Sequence, residues 1–161
     1  MGVHMTTPTT EKPAQGDVID PTAAISEPLF ERLVARILAD HPDFDDAYAR
    51  RVMTQALAYL MACGANPGGR LAPSPQVDVG WHTFILFTHD YARFCTQVAG
   101  RMIHHAPDDE PATGTAAVDR IGATIEAMRA ANLPVDLELW LHEAKCSQCH
   151  QGCFDDPAPE A

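Results

Sequence analysis

Apolar residues recur every three to four positions along much of the chain, which is the spacing of amphipathic α-helices. The first such segment is SEPLFERLVARILAD (26–40), in which Ser26 can cap a helix and Pro28 fits its first turn. His41-Pro42 then ends the helix. The pattern predicts one apolar face, formed by Leu29, Phe30, Leu33, Val34, Ile37 and Leu38.

A second helix is expected over roughly 44–62, opened by a capping pattern of Asp43 and Asp46. The Gly- and Pro-rich segment GANPGGRLAPSP follows it and predicts a loop. The inward face of this second helix is predicted to carry Tyr48, Val52, Met53, Leu57, Leu60 and Met61.

The remaining helical segments are shorter. A third helix is expected from Pro75 to about Phe87 and a fourth from Thr88 to about Ala99, where Gly100 ends it, although the two could form one bent helix. AAVDRIGATIEAMRAAN (116–132) predicts a fifth, and LPVDLELWLHEAK holds a short helix at best. The apolar face of the fifth is expected to hold Val118, Ile121, Ile125 and Met128.

These elements predict an all-α protein, a small irregular bundle of about five helices. Residues 1–24 are Thr/Pro-rich and predict a disordered arm. Residues 25–145 then form the helical domain, and 146–161 a cysteine-rich, irregular tail that packs on it. HHAPDDEPATGT (104–115) is expected to be a loop.

The net charge of the chain limits the classes of partner that the protein is expected to bind. A net charge of −11 repels phosphate backbones and anionic membranes, so neither nucleic acid nor a membrane is an expected partner. No run approaches 18 apolar residues, and the N-terminus lacks the apolar stretch of a secretory signal, so the expected location is the cytoplasm. An odd count of five cysteines favours metal binding or isolated thiols over disulfides.

Candidate chemistry concentrates in residues 80–107, which hold four of the eight histidines and Cys95. Asp78 and His82 are four positions apart and share a helix face, where the carboxylate can fix the imidazole tautomer and free its other nitrogen for a metal. Cys95 would point away from His82 on one straight helix, so their convergence requires a break near Thr88–Asp90.

His104 and His105 follow Gly100 and could fold back over this pair. An adjacent His pair usually contributes one inward residue at most. The same residues also have ordinary roles, because a single helical histidine is usually structural and a lone cysteine is usually a small core residue.

The tail CSQCHQGC places Cys146 and Cys149 at Cys-x2-Cys spacing, which lets two sulfurs reach one tetrahedral ion. Redox-active thiols or no role are the alternatives. The string also contains the C-x-x-C-H attachment motif of c-type haem, which would require export. The tail either forms its own metal site or adds ligands to the histidine site.

The segments VDVGWHTFILFTHDYARFC, GRMIHH and CSQC together resemble bacterial members of the glycine-rich domain-containing protein family. The resemblance covers roughly residues 30–150 and omits the glycine-rich segment of the plant relatives. It does not imply an activity. It implies a functional set of His82, Cys95 and His105, and it omits His89. The other matching positions are Asp78, Trp81, Tyr91, Phe94, Gly100, Cys146 and Cys149.

Three hypotheses follow from these features. The first is a metal-binding helical protein with a structural or carrier role. Its expected ligands are His82, Cys95, His104, His105, Cys146 and Cys149. Asp78 and Tyr91 are expected to support these ligands without binding the metal themselves. Mixed thiolate and imidazole ligands favour zinc, with iron or copper as alternatives. The second is a metalloenzyme of small-molecule metabolism with an open coordination position, and the third is a metal-free interaction module.

Overall fold

The computed structural model describes residues 16–107 and 114–141 and the backbone of residues 153–156. Six α-helices and two short strands form this part of the chain, and the predicted all-α class is confirmed at the level of the whole fold. The elements are α1 (Glu27–Asp40), α2 (Asp46–Ala65), α3 (Pro75–Ile85), α4 (Thr88–Ala99), β1 (His104–Pro107), α5 (Thr115–Ala130), α6 (Leu137–Leu141) and β2 (Cys153–Asp156).

Helix α1 follows its sequence pattern closely. The Ser26 hydroxyl accepts a hydrogen bond from the Leu29 amide at 3.4 Å, and a proline occupies the first turn. The predicted apolar face is the buried face, with Leu33 and Ile37 fully buried and Phe30 and Leu38 partly so.

Helix α2 is the centre of the bundle and contacts most of the other elements. It is buried around much of its circumference, because α1, α3, α4 and α5 pack on different sides of it. Its predicted N-terminus was wrong by two residues. Asp45, and not Asp43, accepts the Tyr48 amide at 2.7 Å, because the chain first makes a turn from His41 to Phe44.

Helices α3 and α4 are two separate helices, as expected, and do not form the single bent helix that was the alternative. The chain breaks at Leu86–Phe87, slightly before the expected position, and Thr88 is the first residue of α4. Gly100 ends α4 as predicted, in the left-handed conformation at φ 66°.

Strands β1 and β2 were not expected from the sequence. They form an antiparallel pair in which His105 lies opposite Asp155 and Pro107 opposite Cys153. The predicted loop therefore begins with a strand, and the predicted irregular tail contains another. Four residues give too short an alternation of apolar and polar positions to identify a strand from sequence.

Helices α5 and α6 close the other side of α2. Helix α5 packs through Thr124, Ile125 and Met128, whereas Val118 is 68% exposed, so its predicted place on the apolar face was wrong. The first turn of α5 lies outside the core. Short α6 confirms the expectation for 133–145 and buries Leu139 and Trp140.

Residues 16–24, assigned from sequence to a disordered arm, have defined structure. Asp20 caps a 3-10 helix at Pro21–Ala24, and the Ile19 amide donates to the Asn132 carbonyl at 2.8 Å. Residues 1–15 lie outside the described part. Within that part, no helix combines the length and apolar character needed to cross a membrane.

Candidate metal site

Three side chains, Asp78, His82 and His105, come together at one edge of α3. One potential ligand atom from each lies within 4.8 Å of the other two. Asp78 Oδ1 is 2.9 Å from His105 Nε2, and Asp78 Oδ2 is 3.4 Å from His82 Nδ1. The imidazole rings of His82 and His105 lie against each other with centroids 4.3 Å apart.

Local structure explains how each side chain reaches the group. Asp78 and His82 are one helical turn apart on α3, so they share a face. His105 comes from β1, where successive side chains point to opposite faces. His105 therefore turns inward with 12% of its side chain exposed, while His104 is exposed to solvent.

The spacing suits a metal ion after small side-chain movements. Metal–nitrogen and metal–oxygen bonds of about 2.0–2.2 Å place two ligand atoms of a tetrahedral ion roughly 3.3–3.5 Å apart. The contact of Asp78 Oδ2 with His82 Nδ1 already has this length, whereas Asp78 Oδ1 and His105 Nε2 form a shorter hydrogen bond that must open before both atoms can bind one ion.

Burial differs sharply across the group. The Asp78 side chain is only 5% exposed, while that of His82 is 48% exposed. A buried carboxylate is costly unless it is paired, and the hydrogen bond with His105 supplies that pairing. The Asp78 carboxylate therefore lies on the buried side of the group, and the His82 side of the group is open to solvent.

Electrostatics favours neutral His82 at physiological pH. Partial burial lowers the pKa of His82 and the neighbouring His105 lowers it further, while the charge of Asp78 acts in the opposite direction and only partly compensates. A neutral imidazole has the free lone pair that a metal ion requires.

A buried hydrogen-bond chain supports the group from behind. The Trp81 indole N–H donates to the Tyr91 hydroxyl at 2.8 Å, and that hydroxyl donates to the Ile103 carbonyl at 2.6 Å. The Trp81 ring packs against His105 with centroids 4.2 Å apart. Tyr91, which the sequence predicted to lie behind the ligands, forms both hydrogen bonds of this chain.

The break between α3 and α4 has a different consequence from the expected one. It brings Tyr91 against Trp81 on α3, where the two side chains form a hydrogen bond. Cys95 is fully buried, is not part of a disulfide bond, forms a hydrogen bond with Tyr91, and lies outside the group. The burial of Tyr91, and then the nearby Cys95, raises the pKa of the Tyr91 phenol, which stays protonated.

The other histidine and cysteine candidates that the structure describes do not belong to the group. His104 and His89 are exposed and neither belongs to it. Cys146 and Cys149 lie outside the described residues. The sequence placed Asp78 behind the ligands, but its carboxylate supplies one of the three clustered ligand atoms. The four-residue spacing between Asp78 and His82 could have indicated this role, because it is compatible with Asp78 as a metal ligand and also with Asp78 as a residue that orients His82.

The fold and this group define a helical protein with a candidate metal site of two imidazoles and one carboxylate. A family model described as UCP032817-like matches residues 22–121, well over half of the chain and all three clustered residues. The chain belongs to this family. Comparison with curated proteins and with solved structures gives no significant match.

Proposed function

We propose that the protein binds a divalent transition-metal ion through Asp78, His82 and His105, and that the ion is zinc. The observation that carries the proposal is the convergence of three potential ligand atoms within 4.8 Å of one another. Two histidines and one carboxylate are established zinc ligands. The lowered pKa of His82 adds support, because little proton competition opposes binding near pH 7.

The donor set leaves iron as the main competitor for the site. Two histidines and one carboxylate with open positions also form the facial triad of non-haem iron(II) enzymes. The earlier preference for zinc relied on mixed thiolate and imidazole ligands, and the described part of the group contains no thiolate. The preference for zinc now depends on the nitrogen and oxygen donors of the group, and these donors support copper less than zinc.

Elemental analysis of protein purified without a metal-affinity column tests the proposal. We expect about one equivalent of metal to be lost in His82→Ala and retained in His89→Ala, which removes an exposed histidine outside the group. A wild-type protein that contains no metal with its thiols reduced, and takes up none on addition of zinc, contradicts the proposal. That result would favour the metal-free interaction module.

Cys149→Ser separates one shared site from two. If the tail shares the ion, we expect His82→Ala and Cys149→Ser each to lose all of the metal. If the tail holds its own ion, each variant loses only part. A closed shell that includes tail cysteines would support a structural or carrier role.

A metal-dependent enzyme is the second candidate, and the exposure of His82 favours it. Three protein ligands with one open side leave a coordination position for water or substrate, as in catalytic zinc sites. A shallow pocket of about 630 Å³ lies between α2 and the segment that leads into α6, but none of the three clustered residues lines it. The substrate of such an enzyme would therefore bind on the open His82 side.

Cobalt substitution tests for this open position. If the position is open, azide is expected to change the visible spectrum of the Co²⁺ protein by direct coordination. An unchanged spectrum together with a thiolate-to-cobalt charge-transfer band would indicate closure by cysteines and contradict the enzyme hypothesis. Kinship with the bacterial glycine-rich domain-containing proteins and a cytoplasmic location remain predictions from the sequence.

A further inference from the structure

The Tyr91 hydroxyl bridges the two chain segments that hold the three clustered residues. It accepts the Trp81 indole N–H from α3 at 2.8 Å and donates to the Ile103 carbonyl, just before β1, at 2.6 Å. Helix α3 supplies two of the clustered residues and β1 supplies the third. One oxygen atom on α4 therefore connects both parts of the candidate site.

Each end of this bridge lies close to a candidate ligand. Trp81 directly precedes His82 in the chain, and its ring packs against His105 with centroids 4.2 Å apart. Ile103 is fully buried and precedes His105 by two residues. A change in either hydrogen bond would therefore displace His105 relative to α3.

Only a group that both donates and accepts can make this connection. A phenol has one O–H donor and acceptor lone pairs, so it can serve the indole N–H and the backbone carbonyl at once. Tyr91 is 5% exposed, so water has little access to replace either bond. Phenylalanine would keep the ring and lose both of these hydrogen bonds, together with the hydrogen bond to Cys95.

We infer that Tyr91 is a positioning residue that holds α3 and β1 at the spacing required for metal coordination. The inference rests on the proposed metal-binding function of Asp78, His82 and His105. It predicts that the Tyr91 hydroxyl contributes to metal affinity in addition to any contribution to folding. Loss of groups that orient metal ligands typically weakens metal binding by about 10–100-fold.

The test compares zinc affinities of full-length wild type, Tyr91→Phe and Tyr59→Phe by competition with a chromophoric chelator. Tyr59 is a matched control: it is fully buried, its hydroxyl donates to the Leu71 carbonyl at 2.9 Å, and its ring also packs on Trp81. Its hydrogen bond does not connect α3 to β1. Binding that disappears in His82→Ala is the binding assigned to this site.

We expect Tyr91→Phe to raise the zinc Kd at least about ten-fold and Tyr59→Phe to leave it within about two-fold, even where both lower the melting temperature of the metal-free protein. The Co²⁺ spectrum of Tyr91→Phe is also expected to differ from that of wild type. Equal affinities for the two tyrosine variants overturn the inference, because the hydroxyl would then serve folding alone.

Two further outcomes are distinguishable. If wild type and His82→Ala bind zinc equally, the proposed site itself is refuted. If Tyr91→Phe does not fold, Trp81→Phe carries the test, because it leaves the bond from Tyr91 to Ile103 and removes the indole donor together with part of the ring that packs on His105. An unchanged zinc Kd in Trp81→Phe then overturns the inference, and a weakened one supports it.

Discussion

Asp78 is the residue on which the candidate site depends most directly. Its two carboxylate oxygens face different imidazoles, Oδ1 toward His105 and Oδ2 toward His82. In the metal-free protein these contacts compensate the burial of the carboxylate. The same oxygens could bind a metal ion, so one side chain can both compensate its own burial and act as a metal ligand.

The charge of Asp78 can be tested through its effect on His82. Burial is the largest cause that lowers the pKa of His82, and Asp78 opposes it. Asp78→Asn keeps the side-chain volume and removes the charge, so we expect the pKa of His82 to fall further in the metal-free protein. NMR titration of the imidazole protons measures this change, and a rise of the pKa in Asp78→Asn would contradict the proposed balance.

This lowered pKa also sets the sign of a pH effect on the metal-free fold. The folded state holds fewer protons on His82 than the unfolded state around the ordinary value of 6.5. The contribution of His82 to the free energy of unfolding is therefore fully present above pH 6.5 and is lost as the pH falls through the lower folded-state pKa.

At the scale of elements, the close approach of α3 to α2 fixes where Asp78 and His82 lie. Gly80, between them on α3, permits this approach, because a Cβ at that position would lie 2.6 Å from the Ala56 Cβ and 3.1 Å from the Val52 carbonyl oxygen. Both neighbours belong to the central helix and have little freedom to move. The glycine therefore sets the depth of α3 in the bundle.

Gly80→Ala is expected to lower the free energy of unfolding by about 1–3 kcal/mol, the usual cost of overpacking a core. Urea denaturation measures the change. Gly122→Ala on α5 is the matched control, because nothing lies within 4 Å of the added Cβ. That variant is expected to be neutral or to gain up to about 1 kcal/mol from higher helix propensity. Equal effects of the two substitutions would refute the role of Gly80.

At the scale of the whole molecule, Gln55 joins the central helix to the C-terminal part of the domain. Its buried side-chain oxygen accepts the Trp140 indole N–H at 2.7 Å and the Asp136 amide at 3.1 Å, and its nitrogen donates to the Pro134 carbonyl at 3.2 Å. Arg51 adds an ion pair to Asp136 at 2.7 Å. These bonds hold the segment around α6 against α2.

Gln55→Leu is expected to destabilise the protein by about 2–4 kcal/mol, because it leaves two buried N–H donors without an acceptor. Arg36→Ala serves as the control, since it removes only an exposed pair with Asp40 on one helix and is expected to cost less than about 1 kcal/mol. Thermal or urea unfolding measures both. A similar small loss in the two variants would show that Gln55 does not join these elements.

The sequence by itself determined the helical class and most helix positions, and it included His82 and His105 among a larger set of candidate ligands. Helical spacing predicted the apolar face of α1, and Gly100 predicted the end of α4, because local propensity and capping control these features. Spacing also placed Asp78 and His82 on one face. These are short-range properties that neighbouring residues encode.

Only the tertiary structure decided which distant residues meet. The chain turns after α4 and pairs β1 with β2, and this path brings His105 to Asp78 while Cys95 is buried beside Tyr91. Sequence spacing cannot distinguish these outcomes, because contacts between separate elements depend on the relative orientation of packed helices and on strand register. The histidine-rich stretch therefore predicted the type of chemistry, and packing selected the three residues that can perform it.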